Sequence, residues 1–152
     1  MHTGFNHIML WVKDLQLAKR FYGDALKMPF ISETYRMPHM FDKAYYGTES
    51  MILELFEWES SDGETYTGEY PEDQDRNKRS GITHFCIWLD SIEKTYAELK
   101  AAGFADSCGG PPSEVQPGLT PGSWIRNAMI WDPEGNPIEV FEAAEPVDGT
   151  DN

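Results

Sequence analysis

The sequence predicts an α+β fold built from two copies of a β-α-β-β-β module, and two internal matches lead to this prediction. Residues 7–12 and 84–89 share a His-to-aromatic pattern, and each segment is followed by an aspartate and an amphipathic run. The pentapeptides at 53–57 and 138–142 match each other and follow in the same order. Two matches in one order indicate a repeat of one structural unit. The length of 152 residues suits one domain made of two small fused modules.

The first module begins with large apolar residues at 5–12, which predict a strand. Asp14 is a good N-cap for the helix that follows, and Pro29 ends that helix. Five apolar residues recur at helical spacing in between: Leu15, Ala18, Phe21, Tyr22 and Leu26. Further strands are predicted at 30–37, 43–48 and 51–58.

The second module is predicted to repeat this order. Its elements are a strand at 82–89, a helix at 90–102 and strands at 124–131 and 137–142. Gly103 suits the C-cap of the helix. The run from Asp132 to Asn136 has the composition of a tight turn between paired strands. One more strand is expected in the loop 109–122, which is rich in glycine and proline.

The domain organisation follows from these elements. The modules occupy residues 1–58 and 81–145, and together they form one domain around a shared cleft. Residues 59–80 are polar and contain glycine and proline, so they are expected to form a linker or surface loop, with a lid over the cleft as the alternative. Residues 146–152 form an acidic tail.

The charge and cysteine content narrow the function classes. The net charge of −14 argues against binding to nucleic acid or to an anionic membrane, both of which need a basic patch. No apolar stretch approaches the length of a membrane span, and no secretion signal is visible at the start. Cys86 and Cys108 form no disulfide framework, so reduced thiols in a cytoplasmic protein are expected.

Strand alternation places four potential metal ligands on the faces that line the cleft. Alternate side chains of a strand share a face. With the aliphatic residues directed toward the helices, the opposite faces carry two histidines and two glutamates: His7, Glu54, His84 and Glu139. A carboxylate in such a cavity is costly unless it is paired or bound to a metal. Two imidazoles and two carboxylates suit Zn, Ni, Co, Fe or Mn, and the ligand types alone do not choose among them.

Several motifs resemble those of a known family. They are His7-Ile-x-Leu-x-Val-x-Asp14-Leu15 with Ala18 and Phe21-Tyr22, Ile52-Leu53-Glu54-Leu55, Ile82-Thr83-His84-Phe85, and Asp132-Pro133-Glu134-Gly135-Asn136-x-Ile138-Glu139. On these motifs the chain resembles the vicinal oxygen chelate superfamily of glyoxalases, bleomycin resistance proteins and extradiol dioxygenases. The resemblance implies a half-open, eight-stranded barrel around one divalent metal. It is greatest to glyoxalase I-like members, in which all four matching positions are ligands.

The resemblance also implies a reaction and an assembly. Glyoxalase I-like enzymes are metal-dependent isomerases or lyases that move a proton beside a carbonyl of a small-molecule substrate, through a metal-stabilised enediolate. The glutamate that matches Glu139 can leave the metal and transfer this proton, and the one that matches Glu54 is placed symmetrically. Family members commonly pair, so a homodimer is expected.

An extradiol dioxygenase that uses Fe(II) is one alternative. That chemistry needs two histidines and one carboxylate, which His7, His84 and Glu139 would supply. Glu54 argues against it, because a fourth protein ligand would crowd the face that catechol and oxygen need.

A metal-free protein that binds or sequesters a small molecule, such as an antibiotic, is the other alternative. Its support is a set of aromatic residues predicted to project into the cleft: Trp11, Phe56, Trp88 and Phe141. Cys86 shares that face and could touch a ligand. Four arginines are candidates to bind a substrate carboxylate, and the sequence does not rank them: Arg36, Arg76, Arg79 and Arg126.

Overall fold

The computed structural model describes residues 6–34, 42–48, 50–57 and 84–146. The chain divides into two compact units, Met1–Asp75 and Arg76–Asn152. Each unit contains one four-stranded sheet and one principal helix, which confirms the predicted α+β fold of two repeated modules. The module limits at 58 and 81 and the half-open barrel stay predictions. The proposed linker at 59–80 lies outside the described residues.

The first unit has the predicted β-α-β-β-β order. Its elements are β1 (His7–Val12), α1 (Leu15–Lys19) continued by a π-helical stretch (Arg20–Ala25), β2 (Phe30–Thr34), β3 (Asp42–Thr48) and β4 (Met51–Glu57). The strands lie in the order β1-β4-β3-β2. Strand β1 runs parallel to β4, whereas β4 with β3 and β3 with β2 are antiparallel. The first and last strands of the module, β1 and β4, therefore lie side by side at one edge of the sheet.

Two contacts explain where helix α1 begins and how closely its π-helical continuation approaches β3. Asp14 is the N-cap, and its Oδ1 accepts a hydrogen bond from the Leu17 amide at 2.8 Å. Gly23 lies in the π-helical stretch, and a Cβ there would come within 2.8 Å of the Tyr46 ring. The absence of a side chain at this position therefore lets the helix lie close to β3.

The second unit repeats the arrangement. Its elements are β5 (Phe85–Leu89), α2 (Ile92–Ala101), one 3₁₀ turn (Ala105–Ser107), β6 (Gln116–Pro117), β7 (Trp124–Trp131) and β8 (Pro137–Ala143). The strand order is β5-β8-β7-β6, again with a parallel pair between the first strand and the last. The two-residue strand β6 is the one expected within the loop 109–122. Gly103 has a φ of +90° just beyond α2, as its predicted C-cap role requires.

The apolar core of each unit lies between its sheet and its helix. Ten of the largest side chains are essentially inaccessible to solvent: Leu15, Phe21, Tyr22, Leu53, Leu55, Ile92, Leu99, Ile130, Ile138 and Val140. Burying an aliphatic or aromatic side chain contributes roughly 1.5–3 kcal/mol relative to leaving it exposed. This packing fixes which face of each sheet is turned away from the helix. None of the helices in the described ranges has the length and hydropathy that a membrane-spanning helix needs.

The predicted turn between the last two strands is present. The buried Asp132 carboxylate accepts hydrogen bonds from the backbone amides of Glu134 and Asn136 at 3.0 and 2.7 Å. The Asn136 side-chain amide donates to its other oxygen. These bonds hold the turn and set the register in which β7 and β8 pair.

Candidate functional site

Each sheet has a face turned away from its helix, which we call the site face. In the first unit it carries His7, Met9 and Trp11 of β1 and Glu54 and Phe56 of β4, because directly paired residues of neighbouring strands point the same way. Leu53 and Leu55, which alternate with them, are fully buried on the helix side. Within the first unit, His7 and Glu54 therefore lie on the face away from the helix, as strand alternation predicts.

The second unit has an equivalent site face. It carries His84, which directly precedes β5, then Cys86 and Trp88 of β5, and Glu139 and Phe141 of β8. Ile138 and Val140 alternate with the last two and are fully buried. The two units therefore match in sequence and also in which side chains lie on the face away from the helix.

In the first unit the structure brings His7 and Glu54 together. In the parallel pairing of β1 with β4, Met9 lies directly opposite Glu54. His7 precedes Met9 by two residues, so its side chain lies on the same face of the sheet, at the next position along β1. The His7 Nε2 atom is 3.5 Å from Glu54 Oε2. The histidine side chain is 46% exposed and the glutamate side chain only 12%. The other ring nitrogen, Nδ1, is 2.7 Å from Asn6 Oδ1.

In the second unit, His84 and Glu139 lie together because β5 and β8 pair in the register that β1 and β4 have in the first unit. Cys86 is the direct partner of Glu139, so His84 is again two residues away along its strand. The His84 Nε2 atom is 3.2 Å from Glu139 Oε2, and the two side chains are 40% and 21% exposed. Both units therefore present an accessible imidazole beside a more buried carboxylate.

The donor atoms of each pair fit a divalent ion. Two ligand atoms that lie about 2.1 Å from one ion at a right angle are roughly 3 Å apart, which is close to the two observed N–O separations. Imidazole nitrogen and carboxylate oxygen are ligands for Zn, Ni, Co, Mn and Fe. Within either unit, the described residues add no further His, Cys, Asp or Glu to form a metal-binding group of three or more.

Lys43 gives the first pair a cationic neighbour. It pairs with Phe56 in the β3–β4 register, so it lies on the site face. Its Nζ is 4.0 Å from Glu54 Oε1 and lies over the rings of Phe56 and Tyr45, at 5.1 and 5.6 Å from their centroids. A hydrogen bond to the Tyr45 side chain is the largest cause that raises the pKa of Lys43, and Glu54 adds to it. The ammonium therefore remains charged beside a largely buried carboxylate.

Asn127 occupies the equivalent place in the second unit. It pairs with Phe141 in the β7–β8 register. Its Nδ2 donates a hydrogen bond of 2.8 Å to Glu139 Oε1, and its Oδ1 accepts one of 2.8 Å from the Gln116 side chain. The second carboxylate is therefore held by a neutral amide, where the first has a lysine.

Sequence reasoning missed both Lys43 and Asn127 as neighbours of the glutamates. The available signal was strand alternation on β3 and β7, which indicates that each lies on the site face. Which carboxylate each one reaches depends on the register between strands.

One aromatic pair completes each site face. The rings of Trp11 and Phe56 are 5.5 Å apart and edge-to-face, and those of Trp88 and Phe141 have the same separation and nearly the same angle. Trp88 is 63% exposed, whereas Phe141 is buried. These aromatic pairs form apolar surface beside the His–Glu pairs.

Cys86 lies next to Glu139 on the site face, but it is not a reactive thiolate. Burial raises its pKa to about 11, and the charge of Glu139 contributes. The thiol is therefore protonated at neutral pH and is a poor nucleophile.

Arg126 faces the helix side and is not available to the site face. Its guanidinium is 2.6 Å from Glu93 Oε1 in α2 and 3.4 Å from Glu142 Oε1 in β8. The pairing with Arg126 lowers the pKa of Glu93. This arginine therefore ties the helix to the sheet. The other three candidate arginines, at 36, 76 and 79, lie outside the described residues.

In each copy of the repeated sheet, an accessible imidazole lies beside a less exposed carboxylate. The chain belongs to the glyoxalase/bleomycin resistance protein/dioxygenase superfamily, whose family model matches residues 4–140. Many members of this superfamily are enzymes, and members often bind divalent metals.

Three similar proteins illustrate the relationship. The uncharacterized protein YwkD of Bacillus subtilis (strain 168) is 28% identical over 141 residues, which cover 90% of this chain and 94% of that protein. The crystal structure of SMU.1112c has a TM-score of 0.64 at 22% identity, over 92% of this chain and 98% of the other. A glyoxalase family protein from Enterococcus faecalis has a TM-score of 0.54 at 23% identity, over 91% and 96%. At these identities the two structures support the fold.

Proposed function

We propose that this protein is a divalent-metal-dependent isomerase or lyase of the glyoxalase type, which transfers a proton beside a carbonyl of a small molecule. The observation that carries the proposal is the duplicated His–Glu pair, with N–O separations of 3.5 and 3.2 Å at equivalent register positions. A single such pair is an ordinary surface contact. Two such pairs at equivalent register positions, each with its carboxylate less exposed than its imidazole, support a shared ligand-binding role.

In the proposed enzyme, the modules at 1–58 and 81–145 combine into one half-open barrel. His7, Glu54, His84 and Glu139 would hold one divalent ion. When bound, the ion would supply Lewis-acid stabilisation of negative charge on the substrate oxygens. Zn, Ni, Co, Mn and Fe are the candidate ions for this ligand set.

The chain's own residues supply the rest of the chemistry. The Glu139 carboxylate, once released from the ion, takes the proton from the carbon beside the carbonyl and returns it to the neighbouring carbon, with Glu54 in the symmetric position. Trp11 and Trp88, exposed beside the two pairs, offer apolar surface for the substrate body. Cys86 lies opposite Glu139 in the β5–β8 pairing and adds a small side chain to this face.

A metal-independent binding protein is the second candidate, and the exposed aromatic surface favours it. Trp88 is 63% exposed, Met9 42% and Trp11 38%. Such side chains can stack on a flat ligand without a metal. An Fe(II) dioxygenase has less support, because Glu54 is paired with His7 like its counterpart in the other unit.

The proposal is tested by proton exchange. Metal-loaded protein is incubated in D₂O with 2-oxo acids, α-hydroxy ketones and hemithioacetals, and deuterium at the carbon beside the carbonyl is followed by NMR. Exchange that requires metal and fails in Glu139→Gln supports the proposal. The matched control is Glu142→Gln, which alters the opposite face of the same strand and should retain exchange.

Two parallel measurements separate the alternatives. Oxygen uptake with Fe(II) and catechols, without deuterium exchange, would replace the proposal with a dioxygenase. Quenching of tryptophan fluorescence by small molecules in metal-free protein, with no exchange under any metal, would replace it with a binding protein.

A further inference from the structure

The two glutamates occupy equivalent positions but have different neighbours. Glu54 Oε1 is 4.0 Å from the Lys43 ammonium, whereas Glu139 Oε1 accepts a 2.8 Å hydrogen bond from the Asn127 amide. Lys43 and Asn127 themselves occupy equivalent positions, each opposite the phenylalanine that follows its glutamate by two residues. The repeat therefore preserves the candidate ligands and changes what holds them.

The Asn127 amide has a single orientation in its network. Its Oδ1 accepts from Gln116 Nε2, so its Nδ2 is directed to Glu139, which as a carboxylate can only accept. Ser113 Oγ accepts from the Asn127 backbone amide at 3.0 Å and from Gln116 Nε2 at 3.3 Å. Ser113, Gln116 and Asn127 thus form a chain of hydrogen bonds that ends on one oxygen of Glu139.

The second oxygen of Glu139 is directed elsewhere. Oε2 is the atom that lies 3.2 Å from His84 Nε2. With Oε1 occupied by Asn127, the carboxylate presents Oε2 beside the imidazole. A carboxylate held in this way loses less conformational freedom when it binds a metal, and such supporting contacts typically change metal affinity by about 10- to 100-fold.

We propose that Asn127 is a positioning residue that holds Glu139 by Oε1 so that Oε2 is directed to the metal, whereas among the described residues the matching neighbour of Glu54 is the Lys43 ammonium. This inference rests on the proposed function, because it assumes that Glu139 is a ligand. Under this proposal the two halves of the site differ. Replacing Asn127, the neighbour of Glu139, changes metal affinity more than replacing Lys43, the neighbour of Glu54.

The test is a titration of metal-free protein with Co²⁺ in competition with a chromophoric chelator. We expect one Co²⁺ per chain in the wild type and a Kd that is about 10- to 100-fold higher in Asn127→Ala. Asn127→Leu, which keeps the approximate shape of the side chain and removes the donor, should show the same loss. Gln116→Ala, one step further along the chain of bonds, should show a smaller loss in the same direction.

A double-mutant comparison separates positioning from a merely structural role. In a Glu139→Ala background, Asn127→Ala should raise the Co²⁺ Kd by less than about 2-fold, because its target is gone. The thermal midpoint of each metal-free variant is measured beside the Kd. An equal rise in Kd in both backgrounds, or a lower midpoint with an unchanged Kd, would overturn the inference.

The outcomes also separate this inference from the proposed function. If Glu139→Ala loses Co²⁺ affinity while both Asn127 variants bind like the wild type, the proposed function stands and the inference is wrong. If the wild type binds no Co²⁺, both are wrong.

Discussion

The Glu142 carboxylate accepts a hydrogen bond from the backbone amide of Ile92, with an N–O distance of 2.7 Å. Ile92 is the first residue of α2, whose N-terminal amides lack partners within the helix. In the first unit, Glu57 accepts from the amide of Leu15, the first residue of α1, at 3.2 Å. The last glutamate of each repeated pentapeptide therefore caps the helix of its own unit, while the first glutamate faces the candidate site.

Because Glu142 caps a helix and Glu139 faces the candidate site, substitutions of these two glutamates should have different effects. Glu142→Gln should lower the free energy of unfolding by about 1 kcal/mol, because it replaces a charged acceptor at a helix N-terminus with a neutral one. For a protein of this size the thermal midpoint should fall by about 2–4 °C. Urea unfolding measures the change. An unchanged stability, or a loss of metal binding in this variant, would contradict the assignment.

The proposed role of Glu139 as the base predicts a different result for Glu139→Gln. The fold should remain intact, and kcat at saturating metal should fall by about 10²- to 10⁴-fold, because the amide cannot accept the proton. The metal Kd should rise by a smaller factor, because the other three proposed ligands remain and the amide keeps one oxygen, for which the ion competes with the Asn127 donor. Activity is measured with the substrate found by deuterium exchange. Full activity would move the role of base to Glu54 or to a bound water.

Lys43 is expected to oppose metal binding. Two unit charges 4 Å apart interact by about 1 kcal/mol in water, and the Lys43 ammonium lies 4.0 Å from Glu54 Oε1. Lys43→Met removes the charge and keeps an apolar stem beside Phe56. We expect this variant to bind Co²⁺ up to about 5-fold more tightly, measured by the same chelator competition. Weaker binding would show that Lys43 supports the site.

Assembly as a homodimer predicts a mass of twice 17.3 kDa in light scattering. If modules are exchanged between subunits, His7 and Glu54 of one chain meet His84 and Glu139 of the other. Mixing inactive His7→Ala and His84→Ala subunits should then restore one intact site per mixed dimer. Unrestored activity would indicate sites within single chains, and a mass of 17.3 kDa would contradict the dimer.

The face of the sheet on which each strand residue lies was predictable from the sequence, because successive side chains of a strand point to opposite faces. The buried Leu53 and Leu55 mark the helix side of β4, which leaves only one side for Glu54. The helix start at Asp14 was predictable for a similar reason, since an N-cap depends on residues within a few positions of each other.

The contacts that distinguish the two halves of the site were not predictable in this way. The bond from Asn127 to Glu139 depends on the register between β7 and β8, and that register depends on the turn held by Asp132. Likewise, alternation gives the side on which Glu142 lies, but not that it reaches the Ile92 amide 50 residues away in sequence. The close approach of Gly23 to the Tyr46 ring is a tertiary contact, which no local pattern encodes.

The most direct test of the central claim is the metal stoichiometry of the purified chain by inductively coupled plasma mass spectrometry. The protein is stripped with chelator, reloaded with Zn, Ni, Co or Mn, and freed of excess ion. We expect one ion per wild-type chain, loss of the ion in His7→Ala and His84→Ala alike, and retention in Glu57→Gln and Glu142→Gln, which alter the helix-side faces of the strands that carry Glu54 and Glu139. A wild type that stays metal-free, or histidine variants that keep the full complement, would contradict a single centre built from both halves of the repeat.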